Sequence, residues 1–302
     1  MIVSASRRTD IPAFFGEWMY NRLLAKEAIV RNPVNAKILT RIPLSPETTD
    51  CIVFWAKDPR NFMEYLDPIA RLGHRFYFQF TVTPYGEDIE PGTADKGAIL
   101  ESFIRLSELI GKEKVVWRYD PIIIGEKYDI AYHAKAFGDL CRELGAHTEK
   151  CVVSFADEYG FLKERFRKSS IRPPTPEEIA ALAPRLKSIA DSHGLLLAAC
   201  CEKTDMSAFG IGRNSCVDGE LANRICGTDR TYKKDPGQRR WCGCAAGRDI
   251  GTYGTCGHGC VYCYAARTAN GGRVCDPESP ILCDTIREGE KIVDPKIGGR
   301  IP

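Results

Sequence analysis

Phe76-Tyr77-Phe78-Gln79-Phe80-Thr81-Val82-Thr83 is the stretch whose pattern decides the fold. Successive side chains of a strand point to opposite faces. Phe76, Phe78, Phe80 and Val82 make one wholly apolar face. The other face starts with Tyr77 and turns polar at Gln79, Thr81 and Thr83. A strand apolar on both faces at its start is buried on both faces, as in a parallel sheet covered by helices. Polar groups confined to one face at its end point to a pocket at the carboxyl edge of that sheet.

The flanking sequence repeats this grammar. Ile2–Ser6, Cys51–Trp55, Val115–Tyr119, Cys151–Phe155 and Leu195–Ala199 read as five more core strands. Between them lie helical stretches at Pro12–Lys26, Asp58–Leu72, Ala94–Ile110 and Tyr128–Leu144, the last ended by Gly145. A further helix runs from Thr175 to about His193. Thr175 caps it, Pro176 takes the first position, Glu178 completes a capping box, and Pro184 predicts a kink or restart. Ala28–Arg31 and Lys37–Ile42 flank Asn32-Pro33-Val34-Asn35 as an inserted hairpin. Strands alternating with helices predict a parallel sheet with right-handed crossovers. The expected class is α/β, a (β/α) barrel or partial barrel of TIM-barrel type over residues 1–201.

Residues 202–302 differ in texture, being rich in Gly, Cys, Arg and Asp with few long apolar runs. They read as a cysteine-rich region packed over the barrel mouth and ordered by metal more than by its own core. Its one strand-like piece is near Asp249–Tyr253. The 302 residues carry 14 cysteines and a formal net charge of +2. That charge neither demands nor excludes a nucleic-acid partner. No signal peptide opens the chain and no apolar run is long enough to span a bilayer. The economical reading is a cytoplasmic protein with metal-bound thiolates.

The strand ends are unusually polar. Strand one ends in Arg7 and Arg8, strand two in Lys57 and Asp58, and strand four carries Arg118 and Asp120 on one face. Strand five offers Ser154 and Asp157, and strand six ends at Cys200, Cys201 and Glu202. Singly each could be an ion pair or a cap, as Asp58 and Asp157 could. Together they predict a polar pocket faced by Arg7, Arg8, Gln79, Thr81, Arg118 and Asp120. Arg118 and Asp120 are the candidate catalytic pair; Arg7, Gln79 and Thr81 are candidate cofactor contacts.

Cys256-Gly257-His258-Gly259-Cys260-Val261-Tyr262-Cys263-Tyr264 is the chemical centre of the chain. Three thiolates so close can converge on one soft metal centre. A four-iron, four-sulfur cluster held by three cysteines leaves one iron for an exogenous ligand. Zinc is the main alternative, with His258 as fourth ligand, although zinc ligands usually come as separated pairs. A second four-thiolate set is Cys201, Cys216, Cys242 and Cys244, for another cluster or for zinc, with Cys200 or Cys226 able to replace a member. Cys51, Cys141 and Cys151 read as core, and Cys275 and Cys283 are unassigned.

The CxxxCxxC pattern, with an aromatic before its third cysteine, resembles the radical S-adenosylmethionine (SAM) superfamily. That resemblance implies a [4Fe-4S] cluster on Cys256, Cys260 and Cys263, SAM on the open iron, Tyr262 beside the adenine, and reductive cleavage of a SAM carbon–sulfur bond. It implies an electron donor such as flavodoxin or ferredoxin. The motif departs from superfamily habit in lying near the C-terminus, and no Gly-Gly-Glu motif follows strand two. Ser4–Pro12, Arg31–Pro33, Cys51–Trp55, Phe78–Thr81, Trp117–Ile122, Gln238-Arg239, Cys242–Cys244 and Asp249–Gly251 are similar to a prokaryotic family known only as domain of unknown function eighteen-forty-eight. Its members are sometimes labelled repair photolyase-like, which is an analogy. The expected function is radical chemistry on a polar substrate, small or macromolecular, or in a variant the transfer of SAM's aminocarboxypropyl group. Weaker readings are a metal protein that grips nucleic acid through Lys233–Trp241 without SAM turnover, and pure electron transfer.

Overall fold

The computed structural model describes residues 1–266 and 275–294. Eight strands form one sheet: β1 (Ile2–Ala5), β2 (Cys51–Ala56), β3 (Phe76–Thr81), β4 (Val115–Ile122), β5 (Lys150–Phe155), β6 (Leu196–Ala199), β7 (Gly212–Arg213) and β8 (Gly247–Asp249). Their spatial order is β7-β6-β5-β4-β3-β2-β1-β8, and every pairing is parallel. The six strands expected from sequence are thus consecutive neighbours. A closed barrel does not form among the described residues, since β7 and β8 are edges with no ladder between them. Mixed α/β with a large parallel sheet is the architecture.

The helices are α1 (Ile11–Phe14), α2 (Gly16–Leu24), α3 (Met63–Arg71), α4 (Lys96–Ile110), α5 (Ile130–Leu144), α6 (Lys163–Lys168), α7 (Pro176–Ser192) and α8 (Gly219–Cys226). Two expectations need correction. The single helix over Pro12–Lys26 is two, because Phe15 at φ −137° leaves the helical region between them. Pro184 does not restart α7, which runs unbroken through it. The Thr175–Glu178 capping box is present, with Glu178 N donating to Thr175 Oγ1 at 3.3 Å and Thr175 N to Glu178 Oε2 at 2.8 Å. The inserted hairpin is an antiparallel pair, Glu27–Arg31 with Ile38–Pro43.

Side-chain alternation sorts the sheet into two faces. Phe54, Phe78, Trp117 and Val153 point into the main core shared with the helices. Truncating a ring such as Phe78 to alanine there costs about 3–5 kcal/mol. Cys51, Val53, Tyr77, Val116 and Val152 point the other way, against Cys216, Val217, Leu221, Cys242 and Cys244. The chain after residue 201 therefore supplies both edge strands and the packing of the second sheet face. The strand expected near Asp249–Tyr253 is Gly247–Asp249, paired to β1. Cys275 and Cys283, unassigned from sequence, form a disulfide. No helix among the described residues is long and apolar enough to cross a membrane.

Candidate functional site

A cavity of about 490 Å³ opens at the carboxyl ends of β1 to β6. Arg7, Arg8, Thr81, Arg118 and Asp120 line it, as do Cys256, Cys260, Tyr262 and Cys263. So do Cys201, Cys216, Cys242 and Cys244, together with Cys200. Both cysteine sets and the polar strand ends therefore share one space. Gln79 is the exception, being absent from the lining. It is buried beneath the cavity, donating to the Cys216 carbonyl at 2.9 Å and accepting from Arg118 Nη1 at 3.3 Å.

The Cys256–Cys263 loop is docked by its backbone. Gly92 N donates to the His258 carbonyl at 2.9 Å and Val261 N to the Ile89 carbonyl at 2.9 Å. Gly259 sits at φ +64°, a conformation glycine adopts without steric cost. His258 bridges in both directions: Nε2 lies 2.8 Å from Asp10 Oδ2 and Nδ1 lies 3.2 Å from the Gly92 carbonyl. Both ring nitrogens thus face oxygen acceptors, and neither is turned to the three sulfurs as a Cys₃His zinc site would need. Burial pushes the Cys256 and Cys260 thiols up to about 12, so a metal binding there must displace their protons.

A buried charge network that sequence reasoning missed underlies this loop. Lys57 Nζ lies 2.7 Å from Glu90 Oε1, and Lys96 Nζ lies 2.7 Å from Glu90 Oε2. Thr83 Oγ1 donates to Glu90 at 2.6 Å, and Tyr262 hydroxyl donates to the same carboxylate. Burial alone would raise the Glu90 carboxyl, but Lys57 and Lys96 overcome it and hold it at about 2. Lys57 was visible at a strand end; Glu90 lies in an irregular segment, where no periodicity marks it.

Asp249, at the end of β8, organises the first strand's end. It accepts from Ser4 Oγ at 2.9 Å, Ser6 Oγ at 2.6 Å, Arg7 N at 2.9 Å and Gly251 N at 3.1 Å. Arg7 Nε and Arg8 Nε stand 3.9 and 3.7 Å from it. Arg7 also approaches Asp235 at 3.7 Å.

Cys216, Cys244 and Cys242 of the second set are in contact through sulfur, and Cys200 rather than Cys201 joins them. Cys200 Sγ lies 3.2 Å from Cys216 Sγ, and the chain of thiol contacts continues through Cys244 to Cys242. Cys201 is the electrostatic neighbour of Cys200, Cys242 and Cys244. Its φ of +58° is rare for a side-chain-bearing residue. Arg118 Nη1 donates to Cys216 Sγ at 2.7 Å, its Nη2 pairs with Asp120, and Ser154 donates to Asp120. The guanidinium carbon stands 5.1 Å over the Trp55 ring. Burial opposes the Arg118 charge, yet the sulfurs of Cys216 and Cys200 raise its pKa. Cys226 lies elsewhere, donating to the Asp50 carbonyl at 3.1 Å. Cys51, Cys141 and Cys151 are buried, as expected.

In the Lys233–Trp241 stretch, Lys234 donates to the Arg240 carbonyl at 2.7 Å, while Arg239 pairs with Asp157 and Tyr159 and lines the cavity. Asp157 is therefore an ion-pair partner. Asp58 accepts from Arg60 N at 3.3 Å, a local turn bond.

An open α/β scaffold with cysteines and charges at the carboxyl edge of its sheet defines the class of site. The chain belongs to the family described as Domain of unknown function (DUF1848), whose model matches residues 2–265 and so includes all three loop cysteines. No curated protein matches significantly. Among solved structures, a Bacteroides thetaiotaomicron VPI-5482 protein described as a candidate alpha-L-fucosidase is 10% identical, with 62% of this chain and 76% of that one covered. The TM-score is 0.27, too low to support any inference.

Proposed function

We propose that this chain is a radical SAM enzyme, with a [4Fe-4S] cluster held by Cys256, Cys260 and Cys263 and SAM on its open iron. The observation that supports it best is that all three thiols border the same cavity, while both ring nitrogens of His258 already have oxygen partners. The donor set fits iron by chemistry, three soft thiolates and no fourth protein ligand. Among the described residues no three His, Cys, Asp or Glu side chains already stand in a metal-holding arrangement, so binding metal must draw the sulfurs together. When bound, the cluster supplies one electron for cleavage of a SAM carbon–sulfur bond.

The chain's own groups would do the rest. Arg7, Arg8 and Arg118 place positive charge around the cavity and Asp120 negative charge, while burial pushes the Glu202 carboxyl there up to about 7. Such a lining suits a zwitterion and a polar substrate. Tyr262 is held by Glu90 and faces the cavity, where an adenine could rest. We read the sheet as a partial barrel whose carboxyl edge forms the mouth. A second cluster on Cys201, Cys216, Cys242 and Cys244, with Cys200 close enough to substitute, would tie the tail to the end of β6. The test is SAM cleavage under reducing, anaerobic conditions in Cys256→Ala, Cys260→Ala and Cys263→Ala. All three are expected to lose it; turnover surviving in any one sinks the assignment.

A further inference from the structure

A second cavity, of about 630 Å³, opens at the opposite end of the sheet, where β3 and β4 begin. It lies between α3, the end of α4 and the end of α8. Its size is in the range of small-molecule pockets. Met63, Leu66, Phe76, Ile110 and Ile225 give it apolar walls, and Leu109 is 56% exposed at its rim.

Two polar features mark what fits it. His74 is 2% exposed, and neither ring nitrogen has a hydrogen-bond partner among the described residues. Leaving such a group unpaired forfeits the hydrogen bonds it makes with water in the unfolded chain. Burial holds its imidazole below the ordinary value, so at neutral pH it keeps one N–H to donate. The neighbouring Arg75 lines the same cavity and has no ion pair or side-chain hydrogen bond among the described residues. The Cys226 thiol, which lines the same cavity, is lowered to about 7 by its hydrogen bond to Cys51 and by the charges of Arg75 and Arg230. The remaining charges are paired. Arg224 pairs with Glu149 at 2.9 Å, Asp67 with Arg71 at 2.6 Å, and Lys114 Nζ donates to the Ile110 carbonyl at 2.8 Å. One guanidinium with no ion pair or hydrogen bond among the described residues and one buried N–H above apolar walls match a single carboxylate on an aliphatic body.

We propose that this cavity binds a small amphipathic monocarboxylate, with its carboxylate on Arg75 and His74 and its aliphatic chain against Met63, Leu66, Phe76 and Ile110. The site lies at the other end of the strands from the cysteines and does not depend on the enzyme assignment.

Isothermal titration of the full-length, anaerobically purified protein with sodium octanoate tests it. Saturable one-to-one binding is expected. Octanol and inorganic phosphate, each carrying half of the recognised chemistry, should bind at least about tenfold more weakly. Arg75→Glu, on an exposed side chain, should weaken octanoate about tenfold or more. Ala70→Trp, at an exposed cavity-lining position of α3, should block it while leaving the far-ultraviolet circular dichroism unchanged. Cys256→Ala should leave it intact. The proposal is overturned by no saturable octanoate binding below about 10 mM, by octanol binding equally well, or by unchanged affinity in Arg75→Glu.

Discussion

Arg118 donates to the Cys216 sulfur at 2.7 Å while its other terminal nitrogen pairs with Asp120. One buried guanidinium thereby links a strand of the sheet to the cysteine-rich segment packed on it. Arg118→Ala would leave Asp120 with Ser154 as its one hydrogen-bond partner among the described residues. Breaking a buried pair from one side costs about 3–5 kcal/mol. Denaturant unfolding should show a loss of that size for Arg118→Ala and a smaller one for Arg118→Lys, which keeps the charge but not the planar fork. A loss under about 1 kcal/mol for Arg118→Ala would mean the link is not structural.

Gly92 is where the cysteine loop meets the rest of the protein. A Cβ there would stand 2.8 Å from the His258 carbonyl oxygen and closer still to that of Gly257. Both are backbone atoms, so Gly92→Ala must push the loop away. We expect reduced iron retention through gel filtration, with the secondary structure unchanged by circular dichroism. Full iron content in this variant would show that the docked loop position is irrelevant to metal binding.

Glu90 neutralises Lys57 inside the protein and the part-exposed Lys96 at its edge. Glu90→Gln leaves Lys57 buried without its counter-charge, and a loss of about 3–5 kcal/mol is expected. The double variant Glu90→Gln, Lys57→Met should recover part of it, because the uncompensated cation is then gone. If the double variant is no more stable than Glu90→Gln, the two residues are not coupled.

His133 gives a pH dependence with a definite sign. Its Nε2 lies 2.8 Å from the Ile123 carbonyl and its Nδ1 2.8 Å from the Tyr119 hydroxyl, a pairing that suits the neutral ring. Burial pushes its pKa down to about 4, from an ordinary 6.5. Below 6.5 the unfolded chain takes up a proton that the folded one resists. The contribution is complete above pH 6.5 and fades as pH falls toward 4, a loss of about 3 kcal/mol. Stability measured from pH 7.5 to 4 should fall less in His133→Gln than in the parent. Equal acid dependence in the two proteins would refute the assignment.

Much of the scaffold is legible in the sequence because burial on two faces leaves a strong mark. Phe76–Thr81 shows both the strand and which face turns polar, and Val115–Ile122 repeats it with Arg118 and Asp120. Of the open edges, one was marked only as a strand-like piece near Asp249–Tyr253 and the other was not legible. Gly212–Arg213 and Gly247–Asp249 are too short for a periodicity, and only pairing with neighbours makes them strands. Pro184 marked a kink or a restart, and the restart does not occur because its local preference yields to the packing of α7. Within the site, spacing marked the cysteines, but Glu90 and Asp249 act through partners distant in sequence, and no local pattern announces them. Cys200 was ranked behind Cys201, although it is Cys200 that touches Cys216.

The most direct test is metal and sulfide content after anaerobic purification, followed by SAM addition to the reduced protein and assay of 5′-deoxyadenosine. The account predicts roughly eight iron per chain and formation of deoxyadenosine. About four iron with deoxyadenosine would remove the second cluster and keep the enzyme. Zinc without iron, and intact SAM, would contradict the central claim.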